Sequence, residues 1–140
     1  MSFANKRADW VARSALFIVY FWFGILKVVG LSPAGPLVHA LFDKTLGSLM
    51  SFGAFYILFA LFEVLIGILF LIPRLTRTAV LLTFLHIFTT VLPLIFLSDM
   101  VWQSAFVPTL EGQYIIKNVL IIALALVLVA NTRPLRKQID

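Results

Sequence analysis

Residues 52–72, FGAFYILFALFEVLIGILFLI, constrain this chain more than any other stretch. Of these 21 residues, one, Glu63, is ionisable. About 20 mainly apolar residues wound as a helix cross the hydrocarbon of a bilayer. The stretch therefore reads as a membrane-spanning helix with a carboxyl group near its middle. A charge at that depth costs several kcal/mol, so it faces a partner, a cavity or another helix.

The rest of the chain agrees with a membrane setting. Of its 140 residues, 62% are hydrophobic and 12% charged, against about 25% charged in a soluble domain. The net charge of +5 does not point to nucleic acid, because the basic residues sit between apolar runs, which is how membrane topology is written. There is no cysteine. That excludes thiol–disulfide oxidoreductases, thiolate metal sites and disulfides.

Four spans are expected, over about residues 14–31, 52–72, 78–97 and 113–130, giving an all-α four-helix transmembrane bundle in one domain, 1–140. The first run is longer than the apolar core of a signal peptide and no small-residue cleavage site follows it, so it reads as a retained span. Lys27, close to its end, reaches the interface by snorkelling or turns inward. Pro33, Gly35 and Pro36 are expected to end this helix.

Between the first two spans, Leu37, Val38, Leu41, Phe42 and Leu49 recur at roughly helical spacing opposite His39, Asp43 and Lys44. This predicts a short helix lying on the membrane surface. In the third span, Thr83, His86 and Thr90 share a face, and Pro93 is expected to kink the helix. Trp102 and Phe106, in the loop 98–112, are expected at headgroup level.

Lys6, Arg7, Arg13, Arg74, Arg77, Arg133, Arg136 and Lys137 fall on one side, and Lys27, Lys44 and Lys117 on the other. The excess marks the cytoplasmic face, so both termini are expected inside, in an inner membrane. There is no convincing internal repeat, low-complexity segment or soluble domain.

Polar residues inside such a bundle should turn towards one another, with small residues at helix contacts. Glu63 shares a face with Tyr56, Ala60 and Gly67; Lys27 with Tyr20, Phe23 and Gly24; Lys117 with Gln113 and Ile121. Counting rise, Glu63 lies about 16 Å from the start of its span and His86 about 12 Å from the start of the next. In a core about 30 Å thick these depths nearly coincide, so the two are expected to be neighbours.

Three readings of the set stay open. The cluster fixes helix register; or it lines a pocket for a polar head such as a quinone, to which His86, Lys27 or Lys117 donates; or it forms a pathway for protons or a small solute. Tyr20, Phe23, Tyr56 and Phe59 would suit a flat ring. One histidine and one carboxylate at depth fall short of a metal site. No nucleophile–base pair, phosphate-binding glycine loop or nucleotide motif is present.

Three stretches carry a resemblance: VYFWFGILKVVGLSP, FEVLIGILFLIP and GQYIIKNVLIIALAL. Together they make the chain similar, over nearly all its length, to the DoxX-like membrane proteins. The resemblance points to Gly24 and Lys27, Glu63 and Gly67, and Gly112, Lys117 and Asn118. It implies a small four-helix inner-membrane protein. Founding members are associated with a thiosulfate:quinone oxidoreductase, and relatives with oxidative-stress responses. The thiol chemistry of some distant relatives has no cysteine to run on here.

The expected site is therefore Glu63, Lys27, Lys117, His86, Tyr56 and Asn118, with a quinone as the ligand and the bilayer as surroundings. An accessory role beside partner membrane subunits is the main rival.

Overall fold

The computed structural model describes residues 3–132, with side chains from Lys6 onward. Arg133, Arg136 and Lys137 of the basic count lie outside the described residues. Four long helical stretches, Lys6–Val28, Phe52–Phe70, Pro73–Phe96 and Leu110–Ala130, are long and apolar enough to cross a membrane.

The first helix, α1, runs over Phe3–Val28, so helix continues through the polar start. It stops before the prolines expected to end it. Gly30 adopts a left-handed φ of 74°. Its N–H donates to the Lys27 carbonyl, and that of Leu31 to the Leu26 carbonyl. This pair of bonds is a Schellman cap, which needs a residue at positive φ and so selects glycine.

A short helix, α2 (Gly35–Thr45), follows. Its Phe42 ring packs 5.0 Å from Phe55, and Lys44 donates to the Phe96 carbonyl at 2.8 Å. His39 and Asp43 stay exposed, 3.7 Å apart.

The second span, α3 (Phe52–Phe70), is capped by Ser51, whose hydroxyl accepts from the Ala54 N–H; this satisfies one of the first-turn donors. A 3₁₀ turn at Pro73–Leu75 leads into α4 (Thr76–Val91). The third span is interrupted at Leu92 and continues as α5 (Pro93–Phe96). Pro93 has no N–H to continue the ladder, so the helical hydrogen bonding is interrupted at this point while Leu92 itself keeps helical dihedrals.

The loop expected over 98–112 holds α6 (Ser98–Val101) and a hairpin of β1 (Trp102–Ser104) and β2 (Val107–Pro108). At its tip Phe106 is 95% exposed. The fourth span begins earlier than expected, as α7 (Leu110–Ile116), and continues as α8 (Asn118–Ala130). Thr109 caps α7 by accepting from the Gly112 N–H. Gly112 sits so close to the Val101 carbonyl that no side chain would fit.

The spans form a closed ring in which α1 packs on α3, α3 on α4, α4 on α8, and α8 on α1. The α1–α3 contact is the closest. A Cβ on Gly24 would fall 2.8 Å from the Ala60 carbonyl, and one on Gly67 would fall 3.0 Å from the Phe21 nitrogen. Two glycines, one per helix, thus let the backbones meet.

The bundle has two unlike halves. At the end nearest the N-terminus, Leu16, Tyr20, Ile66, Phe70, Ala79, Val80, Ala125 and Leu128 make a packed core. The other half, beneath α2, is hollow. Arg13 turns inward at the packed end and is 3% exposed. It donates to Asp9 at 2.7 Å, to Thr76 Oγ1 at 2.7 Å and to the Phe70 carbonyl at 3.2 Å. That carbonyl belongs to the last turn of α3, which lacks helical partners.

Candidate functional site

The hollow half holds a partly open cavity of about 530 Å³, a size typical of small-ligand sites. Its walls are mainly apolar: Leu37, Leu41 and Phe42 come from α2, and Phe55 and Phe59 from α3. Its polar lining includes one side chain from each span: Lys27 (α1), Glu63 (α3), His86 (α4) and Asn118 (α8).

Three of these four meet. Lys27 Nζ donates to Glu63 Oε2 at 2.6 Å. His86 Nε2 lies 2.9 Å from Glu63 Oε1. The three residues are 5%, 4% and 8% exposed, in the order Lys27, Glu63, His86. Each carboxylate oxygen thus has its own donor, which is what makes a buried charge tolerable.

Two aromatic side chains also pack on His86. Phe59 stacks on its ring at 5.2 Å, Tyr20 meets it edge-on at 5.2 Å, and the Tyr20 hydroxyl lies 3.5 Å from Nδ1. The tautomer assigned from this network carries its proton on Nε2 for Glu63 and leaves Nδ1 to accept from Tyr20. Thr83, one turn earlier on α4, is fully buried. Its hydroxyl has no hydrogen-bond partner among the described residues.

The ammonium of Lys27 differs from the other groups. Among the described residues it has one hydrogen-bond acceptor, Glu63, although an ammonium carries three N–H donors. Phe59 lies below it at 5.8 Å. Two of its N–H groups therefore have no acceptor among the described residues.

Asn118 forms a separate polar spot. Its Nδ2 donates to Thr90 Oγ1 at 3.1 Å, and Thr90 donates its own proton to the Ile87 carbonyl at 3.1 Å.

Two expected site residues lie elsewhere. Lys117 is exposed, with its ammonium over the Tyr114 ring at 5.1 Å. The inward face of the last span is Gly112, Ile115 and Asn118, and one residue's offset turns Lys117 about 100° away from it. Tyr56 packs against Phe52 at 5.1 Å, with its hydroxyl towards Gly35, and does not line the cavity. Of the aromatics expected to suit a flat ring, Phe23 and Phe59 line the cavity, while Tyr20 is buried in the core at 3% exposure.

The buried Arg13 network was not expected from sequence, where Arg13 counted only as a topology charge. Its signal is the spacing Asp9–Arg13, an i, i+4 pair that faces one way on a helix. Among the described residues no group of three or more metal-ligating side chains occurs. No family model, curated protein or solved structure matches the chain.

Proposed function

We propose that this protein is a DoxX-like inner-membrane protein that binds a quinone head in the cavity beneath α2 and serves a quinone-linked redox system. Lys27 carries the reading. It is a buried ammonium on a cavity wall with two N–H donors that no described protein group uses. A quinone carbonyl is an acceptor of the right kind, and the apolar walls suit its ring and the start of its tail. Glu63 holds the ammonium in place, and His86 holds Glu63.

The residues that carry the resemblance to DoxX-like proteins fall into three groups. Gly24 and Gly67 make the closest helix contact, Lys27 and Glu63 form the buried pair, and Asn118 lines the cavity. Lys117 is the residue of that set without a place in the arrangement. The packed core on the far side of Glu63 favours binding over passage through the bundle.

In this reading both termini are cytoplasmic, α2 lies at the opposite interface, and Trp102 and Phe106 anchor the hairpin among headgroups. The test is extraction of lipid from the purified protein. Quinone close to one per chain is expected. No quinone, together with partner polypeptides in fixed ratio, would overturn the reading in favour of an accessory subunit.

A further inference from the structure

Asn118, the polar wall residue that α8 contributes, has no part in the Lys27–Glu63–His86 centre, yet an amide within a membrane span is costly unless used. Its orientation is fixed. The Thr90 hydroxyl spends its one proton on the Ile87 carbonyl, so towards Asn118 it can only accept. Asn118 must therefore present Nδ2 to Thr90, as it does at 3.1 Å. Oδ1 and the second amide N–H remain without a partner among the described residues, on a side chain that lines the cavity.

The polar lining thus has two poles. One is the Lys27 ammonium, positioned by α3 and α4. The other is the Asn118 amide, positioned by α4 from the α8 side. Thr89, Thr90, Glu111 and Tyr114 also line the cavity on the α4 and α7 side, and the remaining wall is mainly apolar.

We infer that Asn118 is a specificity-determining residue that receives the second carbonyl of a two-carbonyl ring whose first carbonyl is held by Lys27. The inference rests on the quinone reading and deepens it. An amide suits this task in both states of such a ligand. Its N–H donates to a carbonyl, and its Oδ1 accepts from the hydroxyl that replaces the carbonyl in the reduced ring. An ammonium can only donate. The two ends of the ligand are therefore read by different chemistry, and a ring with one acceptor leaves Asn118 unpaired and is disfavoured.

The experiment compares two probes on the full-length protein in lipid nanodiscs: an alkyl-tailed para-benzoquinone and an acetophenone with the same tail. The parent is expected to prefer the quinone by about tenfold, the effect of one hydrogen bond at a buried site. Asn118→Leu should remove that preference by weakening quinone binding alone, leaving the acetophenone unchanged. Thr90→Val, which releases the amide but leaves it in place, should reduce the preference part of the way and serves if the leucine variant fails to fold. Equal binding of both probes by the parent overturns the second pole but leaves quinone binding intact. So does an undiminished preference in Asn118→Leu. If the parent binds neither probe, the quinone reading fails and this inference with it.

Discussion

Lys27 Nζ and Glu63 Oε2 lie 2.6 Å apart, with both side chains about 5% exposed, on two helices drawn together by Gly24 and Gly67. Removing one member of such a pair leaves a charge stranded in low dielectric, at a cost of about 3–5 kcal/mol. Glu63→Ala and Lys27→Met should each lose that much in thermal or denaturant unfolding. Glu63→Gln, which keeps polar contacts but drops the charge, should lose less. The double variant Lys27→Met/Glu63→Leu removes both charges and should recover most of the loss. Single variants that unfold like the parent would contradict the ion pair.

The glycine contact sets the distance between those charges. Gly24→Ala puts a Cβ 2.7 Å from Val64 Cγ2 and 2.8 Å from the Ala60 carbonyl. Val64 can rotate, but the backbone cannot, so α1 and α3 must separate. A loss of about 1–3 kcal/mol is expected from such overpacking. Gly53→Ala is the control: nothing lies within 4 Å of its would-be Cβ, and it should be neutral or slightly stabilising by about 0.5 kcal/mol. Equal melting of the two variants would show that the close approach does not matter.

At the packed end, Arg13→Met strands the Phe70 carbonyl and the Asp9 carboxylate together. A loss of about 2–3 kcal/mol is expected. Arg13→Lys should recover only part of it, because one ammonium cannot reproduce the fork that spans Asp9, Thr76 and Phe70. Ligand binding by the folded fraction should be unchanged, since Arg13 lies outside the cavity. A binding defect without a stability defect would contradict this division of roles.

The four spans were legible because uninterrupted apolar length is a strong signal. The ends were less so. Gly30 ended α1 before Pro33 could, since a left-handed cap is a matter of backbone geometry that proline counting misses. The level of Glu63 and His86 followed from rise along each helix, and the two side chains meet at 2.9 Å. Rotation was harder to read. Lys117 and Asn118 are adjacent in sequence, yet one faces outward and the other lines the cavity. Hydropathy cannot tell which way a helix apolar all round is turned. The same limit hid Arg13, whose inward turn depends on an unpaired carbonyl in another helix.

The most direct test of the ligand-binding centre uses the double variant Lys27→Met/Glu63→Leu, titrated with an alkyl-tailed para-benzoquinone in nanodiscs. If the pair exists to present an ammonium to a ligand, this variant should stay folded, within about 1–2 kcal/mol of the parent, and bind the quinone at least about tenfold more weakly. A folded double variant with the parent's quinone affinity would contradict the account and leave the buried pair as a device for helix register alone.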